Sequence, residues 1–147
     1  MDKPNSRTVP VTHDYVLEAQ VGFLLRKASQ RHLAIFSGRI PGLTATQFAA
    51  LAKLCALGPT SQNALGRLTA MDAATIKGVI DRLRRKGLVV SARDPQDRRR
   101  ICVAPTEAGR ATFDLLRTDA LHISAETLAP LSDGERATLL ALLARIT

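Results

Sequence analysis

The hydrophobic period of this chain changes at Gly87, and that change constrains its fold more than any other feature. Up to Lys86 apolar residues recur every three or four positions, as along one face of a helix. Leu88-Val-Val-Ser-Ala92 and Arg100-Ile-Cys-Val-Ala104 are instead short runs rich in β-branched residues, flanking a polar, proline-containing tip at Arg93 to Arg99. After Pro105 the helical period returns. The order is helix, helix, short helix, helix, hairpin, helix, helix, a mainly α fold with a small β-hairpin. Composition agrees: 46% of the 147 residues are apolar but only 3% aromatic, so the core must be built from Leu, Ala, Val and Ile.

Punctuation places the elements. A long helix is predicted from Asp14 to about Ser37, with Leu17, Val21, Leu24, Ala28 and Ile35 as its stripe and Gly38 to Leu43 as its break. Thr44-Ala-Thr-Gln47 has the capping-box pattern, and Gly58-Pro59 stops the helix that follows. A short helix begins at Thr60 or Ser61, anchored by Leu65 and Leu68. After the turn Thr69-Ala-Met71, Asp72 caps a helix that Gly87 closes. Pro105 and Thr106 open another long helix, with Phe113, Leu116, Ala120, Ile123 and Leu128 as expected buried positions and Pro130 at its end. Ser132-Asp-Gly-Glu135 caps the last one, whose face carries Leu139, Leu140, Leu143 and Ile146.

The net charge of +8 is unevenly spread. Residues 1–100 hold 17 Lys or Arg against 7 Asp or Glu, whereas residues 101–147 hold 4 against 6. Eight basic side chains fall between Arg82 and Arg100. Such a block suggests a surface for a polyanion. No apolar run approaches the ~18–20 residues that span a bilayer, and the polar start, Met1 to Pro10, lacks the apolar stretch of a secretion signal. Cys55 and Cys102 do not form a disulfide framework or zinc site. A reduced, cytoplasmic location is expected, with no membrane contact, no metal and no cofactor.

A short helix, a three-residue turn, a second helix and a hairpin together make a winged helix-turn-helix. In the helix after Asp72, Ile76, Val79, Ile80 and Leu83 face inward and leave Thr75, Lys77, Gly78, Asp81, Arg82 and Arg85 outside. A major groove about 12 Å wide admits such a helix, with hydroxyls and basic side chains reaching base edges and phosphates. Candidate DNA contacts are Ser61, Gln62 and Asn63 at the first helix; Thr75, Lys77, Gly78 and Arg82 on the second; and Arg93, Arg98, Arg99 and Arg100 in the hairpin. Arginine at such a tip gains from the negative potential of a narrow minor groove. Asp97 is expected to orient the tip by holding the Arg99 guanidinium.

From Leu43 onward the chain resembles the MarR family of bacterial transcription regulators. The matching stretches are Leu43-Thr-Ala-Thr-Gln-Phe48, Ala70-Met-Asp-Ala-Ala-Thr75, Asp81-Arg-Leu83 and Lys86-Gly-Leu88. The most specific is Asp94-Pro-Gln-Asp-Arg-Arg99 leading to Pro105-Thr-Glu-Ala-Gly109, and Leu131-Ser-Asp-Gly-Glu135 resembles the start of the family's last helix. Val90-Ser91-Ala92 departs from the usual Glu-Arg-Arg, moving positive charge to Arg93 and Arg100. The resemblance implies a homodimer reading a roughly palindromic operator in double-stranded DNA, with Asp97 and Arg99 as the wing pair and Arg99 in the minor groove. It also implies release by a small, often phenolic or carboxylate effector. Residues 1–43 would then be an arm and dimerisation helix, 44–104 the DNA-binding lobe and 105–147 further dimerisation helices. The apolar excess on 14–37 and 106–146 independently calls for burial against a partner.

For the effector, Arg26, His32, Phe36, Arg39, Phe48 and Phe113 are the candidates, because Arg suits a carboxylate and Phe a ring. Cys55 and Cys102 read as small core residues rather than sensors, since sensing needs an exposed, electropositive thiolate. His13, His32 and His122 lack metal-ligand spacing, and no phosphate loop, nucleophile elbow or acid/base pair is visible. The expected function is that of a ligand-responsive repressor, not an enzyme. The alternatives are an effector-free architectural DNA binder, a thiol-based redox sensor of the same family, and an enzyme or carrier with an incidental basic face.

Overall fold

The computed structural model describes residues 14–147; the N-terminal arm at Met1–Thr12 and His13 lie outside the described residues. The element order is α1 (Val21–Arg39), α2 (Ala45–Leu57), β1 (Thr60–Ser61), α3 (Gln62–Leu68), α4 (Ala73–Arg85), β2 (Val89–Arg93), β3 (Ile101–Pro105), α5 (Glu107–Thr127) and α6 (Asp133–Arg145). The first helix starts later than its apolar stripe predicts. A 3-10 turn at Leu17–Ala19 precedes it, and Gln20, with extended backbone, separates the two. Its end also comes later, because Gly38 is accommodated in the last turn. Termination falls to Ile40, which precedes Pro41 and leaves the helical region, as the proline ring demands.

Other boundaries follow their caps. Thr44 and Gln47 form the predicted capping box, as do Ser132 and Glu135. The Ser132 backbone N–H holds the Glu135 carboxyl below its usual range. Gly58 and Gly87, at φ 77° and 72°, take the left-handed conformations that let α2 and α4 stop abruptly.

One strand is additional to the hairpin. Thr60 and Ser61 pair antiparallel with Val103 and Cys102, so β3 is the centre of a three-stranded sheet in the order β1-β3-β2. Two residues are too few to show a period, and Ser61 also serves as the α3 N-cap, accepting from the Ala64 N–H at 3.2 Å.

The core lies beneath α2, α3, α4 and this sheet. Leu51, Leu54, Leu65, Ile76, Ile80, Leu83, Val89 and Val103 are fully buried there. Leu68, expected as an anchor of α3, is 52% exposed: it falls on the last turn, past the contact with α4. Of the five positions expected to be buried on α5 only Ile123 is, while Phe113, Leu116, Ala120 and Leu128 are partly covered. On α6, Leu139 and Leu143 are half-buried, and Leu140 and Ile146 are exposed. These helices carry apolar side chains that the described residues leave uncovered.

Two turns set the geometry of the lobe. After α3 the chain closes in a Schellman-type turn, with the Met71 N–H donating to the Gly66 carbonyl at 2.8 Å. Ala70 occupies the left-handed position at φ 56° that glycine usually takes. Gly66 allows α4 to approach: a Cβ there would lie 3.0 Å from the Met71 carbonyl oxygen and 3.2 Å from Ile76 Cγ2.

The second turn joins the wing to α5. The Thr106 hydroxyl donates to the Gly87 carbonyl at 2.7 Å and accepts from the Gly109 N–H at 3.0 Å, while the Thr106 N–H donates to the Leu88 carbonyl at 3.0 Å. Gly109 lies so close to that same carbonyl that a Cβ would overlap its oxygen.

Gly109→Ala is therefore expected to destabilise the protein by about 3 kcal/mol through overpacking, lowering Tm by roughly 10 °C in differential scanning calorimetry. An unchanged Tm would show that the α5 start can move off the wing root. Ala70→Gly should act in the opposite direction, adding about 1 kcal/mol in urea unfolding by relieving the left-handed alanine; lower stability would contradict the strained turn.

Candidate nucleic-acid interface

The helix-turn-helix presents α4 with one face sealed and the other open. Ile76, Val79, Ile80 and Leu83 are buried, whereas Thr75, Lys77, Arg82 and Arg85 are exposed and Gly78 half-exposed. The start of α4 is held by Asp72, whose carboxylate accepts from the Thr75 N–H at 2.7 Å. That bond holds the carboxyl below the usual carboxylate range. At Gly78 the space beyond the backbone contains only the tip of Arg82, 3.5 Å from where a Cβ would be. A surface running along the α4 axis can thus come close to its backbone.

Charge on α4 is partly committed within the molecule. Asp81 lies 3.7 Å from the Lys77 ammonium and 3.1 Å from the Arg84 guanidinium. Arg84 extends further and donates to Ser91 Oγ on β2 at 3.1 Å. Ser91 belongs to the Val90-Ser91-Ala92 departure, so the departure supplies an acceptor that braces the recognition helix against the wing strand. Arg82 and Arg85 have no acidic partner among the described residues.

The wing tip is shaped by its own hydrogen bonds. The Asp94 N–H donates to the Arg100 carbonyl and the Arg100 N–H to the Asp97 carbonyl, both at 2.9 Å. The Asp94 carboxylate accepts from the Gln96 N–H at 2.9 Å, an Asx turn of the kind this sequence favours. Asp97 does the same for the backbone N–H of Arg99 at 3.1 Å. This corrects the expectation that it holds the Arg99 guanidinium: a carboxylate two residues upstream in a tight turn meets the backbone donor first. Arg93 also turns inward, donating to the Arg98 carbonyl at 2.8 Å. Arg98, Arg99 and Arg100 remain exposed.

Between the wing and α3 lies a groove of about 200 Å³ lined by Ser61, Gln62, Asn63, Arg67, Arg99 and Arg100, with Ile101 at one side. It brings the predicted residues of α3 together with two of the wing arginines. Arg67 joins them without having been singled out from sequence. It falls one helical turn after Asn63, and that spacing was the available signal. Three guanidiniums around one small groove are suited to oxyanions such as phosphate.

The six residues proposed for an effector do not converge on one cavity. Phe48 of α2 meets Phe36 of α1 edge to face at a centroid separation of 6.1 Å and lies tilted against Phe113 of α5 at 5.8 Å. His32 Nδ1 shares a 2.8 Å hydrogen bond with the Thr127 hydroxyl. Arg39 is held by Glu126 at 3.2 Å and Asp119 at 3.8 Å, and Arg26 is exposed. A separate open cleft of about 670 Å³ runs along the α1–α2 connection. Its apolar lining is Leu33, Phe36, Ile40 and Leu43; its polar groups come from Ser37, Thr44, Gln47 and Lys86. Only Phe36 belongs to both sets.

Cys55 lacks the surroundings of a reactive thiolate. Burial pushes the Cys55 thiol up, outweighing the opposing effect of Arg110, and Cys102 is half-buried in β3. The described residues contain no group of three or more His, Cys, Asp or Glu suited to a metal ion. No described helix is long and apolar enough to cross a membrane.

Residues 43–101 match the model of the MarR family. Over 134 residues the chain is 44% identical to the HTH-type transcriptional repressor NicR of Pseudomonas putida, covering 90% of this chain and 85% of that protein. A probable transcriptional regulator from Pseudomonas aeruginosa superposes with a TM-score of 0.87 at 51% identity, covering 90% of this chain and all of the other. BpsR of Bordetella bronchiseptica, whose DNA binding is regulated by 6-hydroxynicotinic acid, superposes with a TM-score of 0.86 at 40% identity over 90% of this chain and 96% of its own. With its winged helix-turn-helix, its basic groove and these relatives, the chain belongs to the MarR family of transcription regulators.

Proposed function

We propose that this regulator acts as a homodimeric repressor, bound to a roughly palindromic operator and released by a small hydroxylated aromatic carboxylate. The observation that carries the effector is the cleft along the α1–α2 connection, which joins an apolar floor to a cationic side chain at the end of α4. A volume of about 670 Å³ is ample for a single-ring acid, within the usual range for ligand sites. The likeness to BpsR, regulated by 6-hydroxynicotinic acid, supports the ligand class, and the likeness to NicR supports repression.

The dimer is supported by what one chain leaves uncovered. Val21, Leu115, Leu121 and Ile146 are 65%, 78%, 67% and 66% exposed on the helices flanking the DNA-binding lobe. Large apolar side chains left this exposed are costly in water and, where they adjoin, typical of a protein interface. Two protomers related by a two-fold axis would present two copies of α4 to successive major-groove turns. In this reading Thr75, Lys77, Gly78 and Arg82 meet the major groove, Ser61, Gln62, Asn63 and Arg67 meet phosphates, and Arg99 enters the minor groove between Arg98 and Arg100. Asp97 and Arg93 shape the tip.

Fluorescence anisotropy with the DNA flanking its own gene tests the DNA and effector parts together. At about 0.15 M salt, 6-hydroxynicotinate should release the operator, and Arg99→Ala should weaken binding roughly ten- to hundredfold while the fold survives. Equal affinity for operator and random DNA would instead identify an architectural binder. Failure of every hydroxylated benzoate and nicotinate to release DNA would remove the effector. Sedimentation equilibrium should give a mass twice 15.9 kDa at micromolar concentration; a monomer would overturn the two-fold reading.

A further inference from the structure

We propose that Lys86 is the carboxylate-recognising residue of the cleft and the link through which its occupancy reaches the recognition helix. This rests on the effector reading above and adds a residue to it. Lys86 is the C-cap of α4, so its backbone continues directly from the helix offered to DNA. Its ammonium crosses to the α1–α2 connection and donates to the Gly42 carbonyl at 2.6 Å. Among the described residues it is the one charged side chain lining the cleft, and it makes no ion pair with any of them.

The chemistry follows from that placement. The ammonium bonds a neutral acceptor, the Gly42 carbonyl, and a carboxylate would compete for it. A carboxylate is the stronger acceptor, since charge-assisted hydrogen bonds are about twice as strong as neutral ones. A ring on Leu33, Phe36, Ile40 and Leu43 would place an acid substituent within reach of this cation, with the Ser37 hydroxyl on the cleft wall for a ring hydroxyl. Arg39, the arginine an acid would otherwise seek, is already occupied by Asp119 and Glu126. When the ammonium turns from Gly42 to the ligand, the clip between α4 and the α1–α2 connection opens. Gly87 and Leu88, the next two residues, carry the shift to the wing root.

The test compares 6-hydroxynicotinate with its uncharged amide by calorimetry on the full-length protein, and measures operator release by anisotropy. The wild-type protein should prefer the acid by about tenfold, as a charge-assisted hydrogen bond implies. Lys86→Met should bind the two equally, and its ratio of operator affinity without acid to that with acid should fall to about one. Each protein is its own reference in that ratio, so a direct DNA contact by residue 86 does not affect it. Lys86→Arg, which keeps the charge, should restore the preference for the acid; it also serves as the second variant where Lys86→Met does not fold. A wild-type preference or wild-type release ratio in Lys86→Met overturns the assignment. Binding of neither compound to the wild-type protein overturns the effector reading, and this residue's role falls with it.

Discussion

The Leu88 carbonyl takes the Thr106 N–H on one side and lies against the bare Cα of Gly109 on the other, and the arrangement of the lobe depends on this meeting. It joins the residue where the wing begins to the first turn of the longest helix. The Thr106 hydroxyl reinforces the contact by bonding Gly87 while capping α5. Because Gly87 ends α4 and Leu88 starts the approach to β2, a shift of α5 along its axis would move the recognition helix and the wing as one body. The far end of α5 is tied as well, to Arg31 and Arg39 of α1. The long helices and the DNA-reading lobe are therefore coupled by backbone-level contacts, which resist sliding more firmly than packed methyl groups do.

Electrostatics in this molecule shapes more than it stabilises. The ion pairs among the described residues are exposed or half-exposed, a setting in which each is worth about 0–1 kcal/mol. Their value is geometric. Asp81 gathers Lys77 and Arg84 at the middle of α4, and Arg84 reaches on to Ser91 of the wing. The unpaired guanidiniums at Arg82, Arg85 and the wing tip face outward. Internal pairing thus leaves some cations freer than others, with the exposed Lys77 only loosely held by Asp81, a division invisible in the net charge of +8.

Local chemistry made most of the fold legible. Thr44, Asp72, Thr106 and Ser132 announced helix starts because a side-chain oxygen three residues before a free N–H works in any context. The inward face of α4 was legible for the same reason, since Ile76, Val79, Ile80 and Leu83 repeat at helical spacing. What failed to show depends on distant partners. The strand at Thr60–Ser61 exists only because β3 is there to pair with it, and Lys86 meets Gly42 across 44 positions. Leu68 was misjudged because period alone does not show where the contact of α3 with α4 ends, and Phe113, Leu116 and Ala120 pack against the core while remaining only partly covered. For the site, the sequence placed basic and hydroxyl residues on the faces where the structure exposes them, whereas the effector candidates were chosen by residue type, and the ion pairs that engage Arg39 join positions far apart in the chain.

The closed tip of the wing has a thermodynamic consequence. Residues 94–100 are held by bonds from Asp94, Asp97, Arg93 and Arg100 to neighbouring backbone. Ordering seven free residues would cost on the order of 10 kcal/mol of conformational entropy, more than several good arginine contacts return. Here that entropy is lost when the protein folds, long before any duplex arrives. The arginines stand on a finished loop, so a polyanion meeting them would have no ordering of the loop to offset.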